Sequence, residues 1–371
     1  MMAKVGNRLR EARKLAGLSQ EKVASILEIS RSRYSEIESG KKTISIDELY
    51  RFSELYNRNI EYFLRSDAEE EEPFGALCRA VSHNLDLART VAKFQTLCSN
   101  LVFLRRILNV EDMGMDIEDY PYDLSRKFFW AKYYAEQERS ILGVGKEPVK
   151  NLSEVLAEKK RINVFALSLP DDVSGMFTYS REIGGCILIN GDHPAGRQLF
   201  SLAHEYGHYL FHKKRIAVVD YLHEDQNKDE KFVNIFAAEF LMPKETVEKM
   251  FYNHVGESRA PSAEDIIYIA DYFGSSFEAT LNRLRSIKLI KESIRQQLLD
   301  ERWISRLRNA MGLPEPSGIK EELPRSYKIF CLKAFLLGKL SVAKLADLLD
   351  MPLHRVMEIA QNLRAHNAHA V

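Results

Sequence analysis

Ser201-Leu-Ala-His-Glu-Tyr-Gly-His-Tyr-Leu-Phe-His212 is the stretch on which the reading of this chain turns. Its apolar residues recur at helical spacing, and His204 and His208 stand four positions apart. On an α-helix such positions lie one above the other, roughly 6 Å apart along the axis. Two imidazoles so placed can hold one tetrahedral zinc ion. Glu205, beside the first, can then act as base toward a water that the ion activates. Leu202, Ala203, Tyr206, Tyr209, Leu210 and Phe211 predict a buried helix. A carboxylate inside a buried helix needs a reason, and this chemistry supplies one.

A two-histidine site needs a third protein ligand. The longer metzincin pattern would place a glycine at position 211 and a histidine at 214, where this chain has Phe211 and Lys214. His212 lies two turns beyond His204, too far to share its ion. The alternative is a carboxylate from a second helix. Asp229-Glu-Lys-Phe-Val-Asn-Ile-Phe-Ala-Ala-Glu-Phe-Leu-Met-Pro243 offers one, with Glu230, Asn234, Ala237 and Leu241 on a single helical face. Ala237 and Ala238 are small enough to let this helix approach the first, and Pro243 ends it. Glu230 is therefore the expected third ligand. Glu239 falls on the wrong face, and Glu224, Asp225 and Asp229 fall in a polar turn. Tyr179 and Tyr206 are the candidates for stabilising a developing oxyanion.

The runs Arg197-Gln-Leu-Phe-Ser-Leu-Ala-His-Glu-Tyr-Gly-His-Tyr-Leu210 and Glu230-x-x-x-Asn-x-Phe-Ala-Ala-Glu-Phe-Leu-Met-Pro243 resemble the ImmA/IrrE family of zinc metallopeptidases. So do Leu169-Pro-Asp-Asp-Val-Ser-Gly175 and Gly184-Gly-Cys-Ile-Leu-Ile-Asn190 upstream, and the resemblance runs from about residue 125 to 290. It implies zinc held by His204, His208 and Glu230, with Glu205 as base. It also implies a substrate that is itself a helix-turn-helix repressor, cleaved to release stress or mobile-element genes. Val233 stands where the family usually has alanine, a conservative departure.

Composition sets the frame. The chain has 371 residues, enough for two or three domains, with 53 basic and 53 acidic residues. A net charge of zero argues against a general polyanion binder. Cys78, Cys98, Cys186 and Cys331 form no CxxC pair, which suggests reduced thiols in a cytoplasm. No basic start precedes an apolar run, so no signal peptide is expected. No stretch approaches 18 uninterrupted apolar residues, so no membrane span is expected either.

Residues 1–66 read as five short helices, with Ser19, Ser30 and Ser45 as caps of the second, third and fourth. Leu18-Ser-Gln-Glu-Lys-Val-Ala24, Ile29-Ser30 and Ile37-Glu-Ser-Gly-Lys-Lys42 resemble the Xre helix-turn-helix family across this whole segment. The segment holds 13 Lys/Arg against 9 Asp/Glu, an excess that suits double-stranded DNA. In that family the second helix starts on phosphate and the third enters the major groove. The resemblance nominates Gln20, Arg31, Ser32 and Glu36, with Lys41 and Lys42 on the backbone. Arg31 suits guanine and Glu36 a cytosine amine, although a carboxylate also repels phosphate. Arg13 and Glu38 match a structural salt bridge of the family.

The expected class is α+β and mostly helical. An Xre-like domain spans 1–66. An acidic linker, Asp67 to Pro73, and a connecting helical hairpin that offers a homodimer contact fill 67–121. A zincin-like core with a small antiparallel sheet follows at 122–258, and a helical region at 259–371. Gly185 to Asn190 is the strand expected to pair with an extended substrate. Cys186 on it is either a redox handle near the metal or an ordinary strand side chain. Met351-Pro352 sits between two helices read as a packing or sensing module. Together these features describe a cytoplasmic zinc endopeptidase fused to a DNA-binding domain, acting on a helix-turn-helix repressor or a toxin–antitoxin protein. The rival is a DNA-binding regulator or antitoxin-like protein whose peptidase domain senses a ligand or cuts its own chain.

Overall fold

The computed structural model describes residues 2–15, 18–56, 60–64, 84–110, 119–180, 182–212, 217–221, 228–256, 259–299, 303–313, 318–320 and 322–368. The acidic run 67–73, the expected helix start at 74–83, Glu224, Asp225 and Arg181 lie outside these residues.

Five helices open the chain: α1 (Met2–Leu15), α2 (Gln20–Ile26), α3 (Arg31–Glu38), α4 (Ile46–Tyr56) and α5 (Ile60–Leu64). The serines end them as their chemistry dictates. Ser19 Oγ accepts from the Lys22 amide and Ser30 Oγ from the Arg33 amide, each at 3.1 Å. Ser45 and Glu48 form a reciprocal box, with bonds of 3.1 and 3.0 Å. Leu9, Val23, Tyr34, Ile37, Phe52, Tyr56 and Phe63 close a core of their own.

The remaining chain is built around a four-stranded sheet of order β1-β3-β2-β4. Its strands are β1 (Asn163–Leu167), β2 (Val173–Ser180), β3 (Gly184–Asn190) and β4 (Ala217–Tyr221). β2 and β3 form the expected antiparallel hairpin. β1 joins β3 in parallel, so the sheet is mixed rather than wholly antiparallel. The reason is connectivity. A single short connection returns the chain antiparallel from β2 to β3, whereas β1 reaches β3 only by way of β2.

Both faces of this sheet are covered. Val164, Ala166, Phe177, Ile187 and Ile189 face the HExxH helix, Ala195–Phe211, and join its core. Phe165, Leu167, Met176, Cys186 and Leu188 point the other way. There they meet Leu87, Val91, Phe94, Leu101 and Leu104 of the helix Leu85–Leu108, together with Tyr327, Cys331 and Phe335. A strand buried on both faces reads as a continuous apolar run, as β1 and β3 do. The helix Leu85–Leu108 is one continuous rod among the described residues, not an exposed hairpin arm. The helices around Met351-Pro352 bury Leu345, Leu348 and Val356 in the same second core. That is the packing role expected of them.

The helix Lys228–Leu241 lies along the HExxH helix, and the contact is closer than Ala237 alone explains. Gly207, inside the motif, is what allows it. A Cβ there would stand 2.7 Å from Val233 Cγ1 and 3.1 Å from Phe236 Cδ1. The larger residue at position 233 therefore sits against the missing side chain at 207. Alanine is the better helix former by about 0.5–1 kcal/mol, but overpacking of this kind costs about 1–3 kcal/mol. Val233 is β-branched and stiff at χ1, so it cannot swing aside cheaply. Gly207→Ala is expected to lower stability in denaturant titration, and Val233→Ala added to it should restore most of the loss. A Gly207→Ala chain as stable as the original would refute this account of the helix contact.

Candidate metal centre

The HExxH helix turns His204 and His208 toward the start of the helix Lys228–Leu241, from which Glu230 points back. His204 Nε2 and His208 Nε2 lie 2.9 Å apart. Glu230 Oε2 lies 3.2 Å from the first and 3.1 Å from the second. The residues are 2, 1 and 7% exposed. Among the described residues these three form a cluster with the composition of a metal site. The donor set of two imidazole nitrogens and a carboxylate oxygen is that of a catalytic zinc site. Bonds near 2.0–2.1 Å at tetrahedral angles would separate ligand atoms by about 3.3 Å, so the observed triangle is slightly tighter than one face of such a tetrahedron. The residues fit the ion.

Electrostatics agree. Burial alone would raise the Glu230 carboxyl, but hydrogen bonding to His204 and His208 outweighs it and holds the group well below the ordinary carboxylate range. His204 Nδ1 lies 3.0 Å from Asn234 Oδ1 one turn along the second helix. That contact leaves Nε2 as the outward-facing nitrogen. His212 stands behind His208 rather than beside it, with the two Nδ1 atoms 2.9 Å apart. The Phe177 ring lies parallel to the His208 ring, with centroids 6.0 Å apart.

Glu205 is fully buried against β2. The strand admits it because Gly175 has no side chain: a Cβ there would meet Glu205 Cγ and Oε1 at 3.1 Å and Leu188 O at 2.8 Å. In the sequence Gly175 shows no sign of this role beyond its place in the stretch Leu169 to Gly175. Its role becomes visible once the strand lies against the helix.

Several expectations change. Tyr206 cannot stabilise an oxyanion: it is fully buried and its hydroxyl donates to Glu138, which also takes Lys160 Nζ at 2.7 Å. Tyr179 packs edge-on against Tyr209, with centroids 6.0 Å apart. β3 is not an open strand for a substrate, because β1 and β2 occupy both its edges. Cys186 is no redox handle at the metal. It points into the second core, where it neighbours Cys98, whose thiol is raised well above its ordinary pKa first by burial and then by that contact. Asp229 belongs to the first turn of the second helix rather than to a preceding turn. Glu239 is indeed turned elsewhere: Arg283 grips it through two bonds of 3.0 and 2.6 Å and donates to Met242 O at 2.8 Å.

In the N-terminal unit, Arg31 and Ser32 stand exposed at the start of α3, and Lys41 and Lys42 are exposed just beyond its end. Arg31 Nε meets Glu21 Oε1 at 2.7 Å, and Lys42 Nζ meets Glu36 Oε2 at 3.6 Å. Exposed pairs of this kind are weak and are easily exchanged for phosphate. Gln20 is half-buried at the start of α2. Its amide donates to the buried Glu38 at 2.8 Å, so it also supports the fold. Arg13 completes that support, with Nε 2.5 Å and Nη2 3.2 Å from the Glu38 oxygens. Burial raises the Glu38 carboxyl, but hydrogen bonds from Arg13, Gln20 and Tyr34 more than reverse this, so it stays below its ordinary value. Arg13→Ala leaves a buried carboxylate without its main partner and is expected to cost about 3 kcal/mol in urea unfolding of this unit. A loss under about 1 kcal/mol, the value of a surface pair, would show that the bridge is not structural.

Comparison with known families agrees with this geometry. Residues 157–285 match the IrrE N-terminal-like domain of peptidase M78. Residues 6–69 match a helix-turn-helix domain. No curated protein matches the chain. The first match spans β1 to β3, the HExxH helix and the Glu230 helix, and the second spans α1 to α5. The two matches, in this order along the chain, correspond to a helix-turn-helix plus ImmA/IrrE architecture.

Proposed function

We propose that this protein is a zinc-dependent endopeptidase and transcriptional regulator that cleaves a helix-turn-helix repressor. The observation that carries the reading is the buried convergence of His204, His208 and Glu230 beside the buried carboxylate of Glu205. A bound zinc would polarise the scissile carbonyl and acidify a water. His204, His208 and Glu230 would hold it. Glu205 accepts the proton of the attacking water as the new carbon–oxygen bond forms, and then passes it to the amide nitrogen, whose bond to carbon breaks as the amine leaves. Gly175 keeps space for that carboxylate against β2.

The N-terminal domain binds double-stranded DNA through the exposed start of α3, with Arg31 and Ser32 toward the bases and Lys41 and Lys42 toward the backbone. Glu36 lies beside Lys42 and moderates that charge. A substrate carrying the same kind of domain would be brought to the peptidase by pairing of the two domains. This raises the local concentration of its cleavable segment without a tight active site. No helix among the described residues is long and apolar enough to cross a membrane.

Metal analysis of the purified chain should find about one zinc, lost in His204→Ala and Glu230→Ala and kept in Glu205→Gln. Incubation with repressors encoded by neighbouring genes, followed by mass spectrometry, should show site-specific cleavage that Glu205→Gln abolishes. Equal cleavage by both chains would assign the chemistry to another group. Cleavage confined to the chain's own backbone would favour a self-processing regulator. For DNA, gel shifts on the promoter of its own operon should show salt-sensitive binding carried by residues 1–66. Arg31→Ala should weaken that binding by about 1–3 kcal/mol if it makes a paired contact to guanine. Unchanged affinity after removal of residues 1–66 would end the DNA-binding assignment.

A further inference from the structure

Behind His208, away from the donor triangle, a row of polar side chains crosses three segments of the chain. His208 Nδ1 and His212 Nδ1 are 2.9 Å apart. His212 Nε2 is 2.8 Å from the Tyr122 hydroxyl. That hydroxyl donates to Asp229 Oδ1, also at 2.8 Å. His212 closes the HExxH helix, Tyr122 precedes the helix Lys127–Ile141, and Asp229 adjoins Glu230 on the second helix. His208 and His212 are buried.

We propose that His212, Tyr122 and Asp229 form a hydrogen-bonded relay that positions His208 as a ligand through Nε2, an inference that rests on the metal-site reading above. Chemistry fixes the direction of every bond. A ligating Nε2 must keep its lone pair, so the His208 proton resides on Nδ1. His212 Nδ1 must then accept, which places the His212 proton on Nε2. That proton is donated to the Tyr122 oxygen, and the Tyr122 hydroxyl is left to donate to Asp229. An ionised carboxylate accepts and cannot donate, so it suits the end of such a row and polarises each bond before it. Ligating histidines commonly use the second nitrogen in this way, and the partner sets tautomer and ring orientation. Here the partner is reached through an intervening imidazole and phenol. The relay also returns to the residue next to Glu230. The first turn of the second helix therefore supplies the third ligand, Glu230, and the end of the row that steadies the second, Asp229. These three are positioning residues, since none of them meets the donor triangle.

The test is zinc affinity, measured by competition with a chromophoric chelator on the full chain. Tyr122→Phe is the informative variant, because it keeps the ring that stacks on Phe232 at 4.2 Å and meets Phe211 edge-on at 5.6 Å. Zinc affinity should fall about 10–100-fold in Tyr122→Phe and at least as much in His212→Phe. In the relay Tyr122 acts on His208 through His212, so adding Tyr122→Phe to His212→Phe should cause no further loss. The visible bands of the cobalt-substituted protein should shift in Tyr122→Phe, which a purely structural role of the phenol would not produce. Unchanged affinity in Tyr122→Phe beside a zinc-binding parent overturns the relay and leaves the metal reading intact. A second loss of equal size in the His212→Phe background also overturns it. A parent chain that binds no zinc overturns both.

Discussion

Three lone pairs aimed at one buried point repel one another unless something positive lies among them. That constraint organises the catalytic half of the molecule. It requires two helices to approach until donor atoms on both meet, and it forbids water from relieving the repulsion. Gly207 lets the helices close, Val233 and Phe236 fill the seam, and Arg283 fixes the far end of the second helix through Glu239. Around the point, Asn234 and His212 meet the Nδ1 atoms of the two histidines, leaving both Nε2 atoms in the donor triangle. The same packing that buries the donors also holds them in register. A shift of one helix against the other would therefore change both stability and affinity for an ion.

The triad was legible in the sequence because each part depends on a local rule. A four-residue spacing places two histidines on one helical face, and a helix whose other face is apolar must bury that face. Glu230 followed from the same rule applied to the next helix, with Glu239 set aside by its phase. The serine caps were legible for a similar reason, since a cap is a contact between residues three apart.

Misreadings came where a side chain answers to a distant one. Nothing local to Gln20 shows its bond to Glu38, 18 residues away. β3 reads as a free strand because nothing local shows that β1 pairs with it in parallel. Tyr206, inside the motif, looks available for chemistry until Glu138, 68 residues upstream, takes its hydroxyl. β4 was not anticipated, since Ala217-Val-Val-Asp-Tyr221 is too short to declare itself without its partner β2. The two-sided burial of the sheet was equally hidden. The apolar runs were plain, but they do not say which later helices will cover them.

That two-sided burial bears on how the molecule comes into being. A ribosome completes the strands, the HExxH motif and Glu230 well before it reaches Tyr327, Cys331 and Phe335, which complete the cover over the sheet's second face. At ordinary elongation rates of about 5–20 residues per second the interval is on the order of ten seconds. Throughout it, a sheet carrying nearly all the parts of a protease has one greasy side only partly shielded by the helix Leu85–Leu108. Exposed apolar surface of this kind is aggregation-prone in a folding intermediate. The order of the sequence thus leaves the cover of the sheet's second face to segments made well after Glu230.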